Sequence, residues 1–314
     1  MNNTIKKLRK NGFINFAFGS EKLKKLAELD KKVFSVREDL ILRIYSTEPD
    51  DKFTEEHLLA LSRLENVKNL EINSCNNSNL SKLGDLKNLE KLILKNCKKL
   101  EIDFIKKLSK LKYLQLVGKI KGLEVIRLCQ NLEMLDLEQL TINDFSFILP
   151  LKKLSRLVIY NSRVNCGFEV LQKTKLTELS LSTITNLSDV SFLSKMKYLK
   201  RLNLAASKVE NLPNLKNLEK LESLELDTMK LWKNPEILKS IKNLKKLRLC
   251  EPNTKLKAEH FYFLISINSI KEIDYQFIDF HDSRRKKRLD DFFEKGNKLS
   301  LLKWNCCEHW SMTF

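Results

Sequence analysis

Glycine and proline are scarce, 7 and 5 in 314 residues, which leaves little room for a flexible linker between domains or for a glycine-rich phosphate-binding loop. The four histidines, His57, His260, His281 and His309, are scattered and fit no zinc-hydrolase or nucleophile-activating spacing. The seven cysteines, at 75, 97, 129, 166, 250, 306 and 307, are odd in number and do not form a paired disulfide frame, so the expectation is reduced thiols in a cytosol. Only Cys306, Cys307, Glu308 and His309 cluster. Adjacent cysteines are poorly spaced for zinc, and no metal or cofactor is expected. Long apolar runs are missing too, with nothing near the roughly 18 residues of a membrane span. Lys6, Lys7, Arg9 and Lys10 precede a short apolar stretch from Gly12 to Phe18, but Asn15 interrupts it, unlike the core of a signal peptide. The expected location is cytoplasmic, with export as an effector lacking a cleaved signal as the exception.

What the chain does have is one recurring phrase. Leu89-x-x-Leu92-x-Leu94 returns at 111, 132, 154, 176, 199, 221 and 244, after a first copy Val67-x-x-Leu70-x-Ile72. The starts are 21 to 23 residues apart, and such a beat marks a stacked repeat. The last two apolar residues of each copy are two apart, which in a strand puts both on one face and their neighbours on the other. Apolar residues at helical spacing follow, as in Phe104, Ile105, Leu108 and Leu111, and return the chain to the next strand. A single repeat buries too little to offset its ordering entropy, so neighbours must stack and both ends need covers.

These phrases resemble the leucine-rich-repeat superfamily. The period and stretches such as Asp144 to Ile148 and Asp189 to Leu193 are similar to the short, bacterial, internalin-like class. The slot three residues past each strand, often Asn in that family, holds Cys75, Cys97, Lys119, Leu140, Ser162, Ile184 and Ser207 here. The resemblance implies an α/β fold, a right-handed solenoid with a curved parallel sheet on its concave side and short helices or 3-10 turns on its convex side. It also implies a role in binding proteins.

One continuous structural domain is expected, with an N-terminal cap at 1–40, repeats at 41–269, and irregular last repeats with a C-terminal cap at 270–314. In the cap, Ser20 opens a helix through Leu23, Leu26 and Leu29, and the first strand follows near Leu40 to Tyr45. A helix is expected from Ser283 to Lys295, and the aromatic tail of Trp304, Trp310 and Phe314 should cover the exposed end.

The net charge of +18 suggests nucleic acid at first sight. The repeat register tests this, because it identifies the side chains on the concave face. Seven of those are basic and eight acidic, so a phosphate-wrapping groove is poorly supported. Much of the excess lies at strand entries, on Lys87, Lys110, Lys112, Lys152, Lys153, Lys175, Lys197, Lys200, Lys220, Lys242, Lys245 and Lys271, where it would stack into a lateral basic edge.

The strongest candidate site is on the concave face. Ile93, Tyr113, Val117, Met134, Val158 and Tyr160 should stand exposed together, rimmed by Lys91, Lys95, Asp136, Glu138 and Arg156, which is the anatomy of a protein-binding hot spot. A second, acidic candidate is Glu225 with Asp227, flanked by Lys246 and Arg248. The expected function is therefore a non-enzymatic module binding a protein partner, as monomer or weak dimer. The alternative is an anion or nucleic-acid binder using the basic edge and Arg284, Arg285, Lys286, Lys287 and Arg288.

Overall fold

The computed structural model describes residues 12–17, 23–45, 54–73, 79–276 and 284–303. Ser20, Cys75, Ser283 and the tail bearing Trp304, Cys306, Cys307, Trp310 and Phe314 lie outside them. The chain divides into two compact units, 1–167 and 168–314, a division that falls inside the run of repeats.

In the first unit the strands are β1 (Phe13–Ala17), β2 (Ile41–Tyr45), β3 (Asn69–Asn73), β4 (Lys91–Glu101), β5 (Tyr113–Lys121), β6 (Met134–Glu138), β7 (Thr141–Ile142), β8 (Arg156–Tyr160) and β9 (Arg163–Val164). Apart from β7 and β9, which pair only with each other, each is parallel to the next. Register runs leucine on leucine. Leu70 sits beside Leu92, Leu92 beside Leu114, then Leu135 and Leu157, all fully buried. The period-2 alternation thus fixes which face is core, since a slip of one residue would turn every leucine to solvent.

The return segments are short because the repeat is short. Helices α1 (Leu23–Leu29) and α2 (Glu55–Ser62) serve the first rungs, and five- or six-residue 3-10 turns such as Ser81–Asp85, Asp103–Lys107 and Leu123–Leu128 serve later ones. Their apolar residues, among them Leu83, Phe104, Ile105 and Ile126, are buried. Thr54 caps α2, its hydroxyl accepting from His57 N at 3.3 Å.

The N-terminal segment contributes more than a helix. Strand β1 precedes the expected first strand and pairs with it. Buried Asp30 then accepts from Glu65 N and Asn66 N, both at 2.9 Å, and from Asn66 Nδ2 at 3.1 Å. This ties the end of the first helical segment to the following rung.

Among the described residues, seven strands of the long sheet share one bend. Two residues past the second strand leucine, φ is positive at Asn96, Gly118, Gln139, Asn161, Thr183, Thr228 and Glu251. Asn tolerates this region, whereas a β-branched Thr is strained in it. At Gly118 (φ 118°) no side chain fits, since a Cβ would lie 2.5 Å from Cys97 O. The slot after the bend is filled by buried Cys97, Leu140, Ser162 and Ile184. Ser162 Oγ donates to Tyr160 O (2.8 Å) and accepts from Leu140 N (3.1 Å). An asparagine ladder does exist, one residue before the first motif leucine. Asn88, Asn131 and Asn243 each donate Nδ2 to a carbonyl of the preceding rung, at 2.8, 2.7 and 2.7 Å.

The second unit repeats the scheme with β10 (Glu178–Ser182), β11 (Arg201–Ala205), β12 (Ser223–Asp227), β13 (Lys246–Cys250) and β14 (Glu272–Gln276), paired in parallel in that order. Its longer late rungs hold a 3-10 segment, Ala258–Ser266, and helix α3 (Arg284–Lys295). Trp232, Phe261 and Phe293 are fully buried there.

Candidate functional site

On the sheet face of the first unit, the expected exposed apolar group is not what the side chains form. Ile93, Tyr113 and Val117 are buried at 5%, 3% and 6% exposure, together with Glu71 and Asp136. The reason is lateral. Strands about 4.8 Å apart let long polar side chains lie across shorter neighbours. The Lys91 ammonium rests 4.8 Å from the centre of the Tyr113 ring, and burial lowers its pKa. Tyr113 Oη donates to Asp136 Oδ2 at 2.8 Å, with Gln115 Oε1 3.3 Å away, and Arg156 Nη2 lies 3.8 Å from the same carboxylate oxygen. Burial raises the Asp136 pKa, while the Tyr113 hydrogen bond and Arg156 oppose that rise. Burial and the adjacent Asp136 likewise push the Tyr113 hydroxyl up.

Beside this buried centre runs a second polar chain. Glu71 takes Arg43 Nε at 3.0 Å and Lys95 Nζ at 2.9 Å. What stays accessible is Tyr160, 45% exposed, with half-buried Met134 and Val158. Glu138 is directly opposite Tyr160 in register. It too is half-buried, and desolvation raises its pKa.

In the second unit the acidic candidate closes on itself. Arg248, 7% exposed, lies 3.5 Å from Glu225 and 3.4 Å from Asp274, and Glu225 also accepts from Asn203 Nδ2 at 3.0 Å. Asp227 accepts from the Thr228 hydroxyl at 2.8 Å. Cross-strand pairing in a parallel register therefore occupies Glu225. Lys246 with Glu272 (3.3 Å) and Arg201 with Glu178 (3.1 Å) continue the pattern.

The basic run on α3 is also partly engaged. Arg285 is buried and donates to Asn253 O (3.2 Å) and Leu256 O (2.9 Å). Lys286 pairs with Asp290 at 3.0 Å, and Arg288 with Glu259 at 3.4 Å. Arg284 and Lys287 are exposed. Five cations in one turn do not make five outward charges, because successive residues point around the helix.

The lateral lysines differ between the units. In the first, Lys112 pairs with Glu90 at 2.7 Å, and Lys110 and Lys153 donate to Asn88 and Asn131. In the second, Lys245 pairs with Glu222 at 2.8 Å, but Lys175, Lys200, Lys242 and Lys271 are exposed and have no ion-pair partner among the described residues. Lys197 and Lys220 flank the Tyr198 ring at 5.4 and 5.5 Å. A pocket of about 370 Å³, lined in part by Lys121, Glu124, Asn143 and Asp144, opens between the end of β5 and β7, which do not pair. Nothing in the sequence pattern marks it.

No family model and no curated protein matches the sequence. Solved structures do. An internalin of Listeria monocytogenes superposes over 86% of this chain and 74% of its own, at 18% identity and a TM-score of 0.57. A leucine-rich-repeat protein of Leptospira interrogans does so over 93% and 81%, at 18% and 0.59. This chain has the leucine-rich-repeat fold. A chain in the mouse RP105/MD-1 complex shares the leucine-rich-repeat arrangement at 18% identity and a TM-score of 0.57, over 87% of this chain and 55% of its own. The expected internalin-like, α/β repeat architecture is thus present. Among the described residues no helix is long and apolar enough to cross a membrane, and no three metal-ligating side chains come together.

Proposed function

We propose that this leucine-rich-repeat chain is a non-enzymatic, cytoplasmic protein-binding module, of adaptor, inhibitor or effector type and bacterial in kind, whose partner docks on the sheet face of the first unit. In this reading residues 1–40 are its N-terminal cap, and 270–314 its irregular last repeats and C-terminal cap. The observation that carries this reading is the Tyr160 surface. The exposed Tyr160 ring and half-buried Val158 and Met134 lie on a face where Glu71 is held by Arg43 and Lys95, and Asp136 by Tyr113 and Arg156. A pre-ordered polar frame around an accessible aromatic is how interfaces concentrate binding energy. Crystals of the mouse RP105/MD-1 complex hold a protein of this fold with a second protein, which agrees with such a role. Of the residues expected to make contact, Met134, Glu138, Val158 and Tyr160 are the ones a partner would meet, with Lys91, Lys95 and Arg156 as their frame.

The test is capture of a stoichiometric partner from nuclease-treated extract of the source cell by the wild-type chain and by Tyr160→Ala/Met134→Ser. Loss in the variant, with retention in the control Leu231→Ser, supports the reading. Equal retention in both overturns it.

A second reading is favoured by the second unit alone. Lys175, Lys200 and Lys242, with Tyr198 between Lys197 and Lys220, form a basic edge with an aromatic, a surface suited to anionic polymers. Oligonucleotide binding that collapses with salt and is lost in Lys175→Glu/Lys200→Glu would establish it; its absence at low salt would eliminate it.

A further inference from the structure

We propose that Glu138 and Tyr160 form a receptor for a basic side chain, arginine above all, presented by whatever docks on the sheet face of the first unit. This rests on the protein-binding reading of that face. Three expected carboxylates lie there, Glu71, Asp136 and Glu138. Glu71 is held by Arg43 and Lys95, and Asp136 by Tyr113 and Arg156. The Glu138 carboxylate has neither an ion pair nor a hydrogen bond among the described residues. The cation acting on it is Lys95, whose ammonium is bound to Glu71 at 2.9 Å. The other cations of the face are committed as well, Lys91 over the Tyr113 ring and Arg156 towards Asp136.

The surroundings of Glu138 are apolar. Its cross-strand neighbours are buried Val117 on one side and exposed Tyr160 on the other, with half-buried Val158 diagonal to it. Such a half-desolvated carboxylate is weakly compensated by water and gains most from a cation that also brings its own apolar stem. Arginine meets both demands. Its flat guanidinium stacks on the Tyr160 ring while donating two hydrogen bonds to a carboxylate, which the point charge of lysine cannot do. Two residues back on the same strand, about 7 Å away, Asp136 Oδ1 has no hydrogen-bond partner although Asp136 is 6% exposed. Among the described residues, Arg43, Lys91, Lys95 and Arg156 are each already engaged, which disfavours an acidic partner residue.

The probe is N-acetyl-arginine amide, titrated into the full chain with N-acetyl-citrulline amide as the neutral isostere and N-acetyl-lysine amide as the point charge. The readout is the Tyr160 ring resonance, assigned with Tyr160→Phe. The expected result is a saturable shift with arginine, weaker with lysine, absent with citrulline, and an affinity at least about tenfold lower in Glu138→Gln, the loss of one charge-assisted bond. Glu222→Gln, on the lateral edge, should leave it unchanged. An equal shift with citrulline, or full affinity in Glu138→Gln, overturns the receptor. Failure of the docking reading looks different: the arginine probe still shifts Tyr160 while Tyr160→Ala/Met134→Ser loses no protein partner.

Discussion

Replacing Tyr113 by Phe removes one oxygen from a buried contact and leaves the packing volume almost unchanged. The oxygen donates to Asp136 Oδ2 at 2.8 Å, and Tyr113 and Asp136 are 3% and 6% exposed, so water cannot replace it. A hydrogen bond to a buried charged group is worth about 1.5–3 kcal/mol, and Tyr113→Phe should lower the unfolding free energy by that amount at neutral pH. The penalty should also depend on pH with a definite sign. Burial raises the folded-state pKa of Asp136, so its carboxylate is a liability fully present above that pKa and absent below the unfolded value of about 3.9. Without the phenol the folded pKa rises further. The penalty should therefore be greatest near pH 7 and shrink as pH falls through the folded pKa of Asp136, where the neutral acid no longer needs the donor. Urea unfolding of wild type and variant at neutral pH and at a pH below the folded pKa of Asp136 measures both quantities. With Asp136→Asn as background, the cost of Tyr113→Phe should fall to about 1 kcal/mol or less, that of a neutral hydrogen bond. A penalty equal at both pH values, or below about 0.5 kcal/mol throughout, would refute the assignment of Tyr113 as the buried donor to this carboxylate.

Gly118→Ala should destabilise the chain by about 3 kcal/mol or more, because its Cβ would meet Cys97 O at 2.5 Å in a backbone at φ 118°; a urea midpoint within error of wild type would contradict the bend described. Arg285→Ala should cost about 1–3 kcal/mol by taking the guanidinium donor from the Leu256 carbonyl, whereas exposed Lys287→Ala should stay within about 0.5 kcal/mol; similar thermal shifts in the two would show the basic run to be uniformly solvated. Thr183→Asn should raise stability by about 0.5–1 kcal/mol, since φ at Thr183 is 55° and Asn tolerates that region better; a lower melting temperature would mean that the Thr183 hydroxyl, 3.4 Å from Ser182 Oγ, outweighs the backbone strain.

Register was legible because it depends on a period of two. Leu92 and Leu94 had to share a face, and residues 91, 93 and 95 the other, whatever the neighbours were. Exposure on that second face was not legible. It depends on how far Lys91 or Arg156 reaches across a strand gap, and on whether the Tyr113 hydroxyl finds a carboxylate inside its reach. The same holds for Arg285, where position on α3 decides burial rather than membership of a basic run. Strand β1 left a signal in the alternation of Ile14 and Phe16, but one short strand carries no leucine phrase. The asparagine ladder left a clearer one, in Asn66, Asn88, Asn131 and Asn243 immediately before the first apolar residue of a repeat.

The shared bend after the strands has an effect on how such a chain can change its length. Asn96, Gly118, Gln139 and Asn161 all place a positive φ at the same position of their repeats, and the leucine rows of neighbouring strands pair in one register. Excising or duplicating a whole period between two such positions joins equivalent ends, so the ladder closes again without a shift of register. Loss of any other number of residues would throw the leucines of every later rung out of phase. Whole repeats are therefore the natural unit of insertion and deletion, and the number of rungs can drift while the fold of each rung is kept.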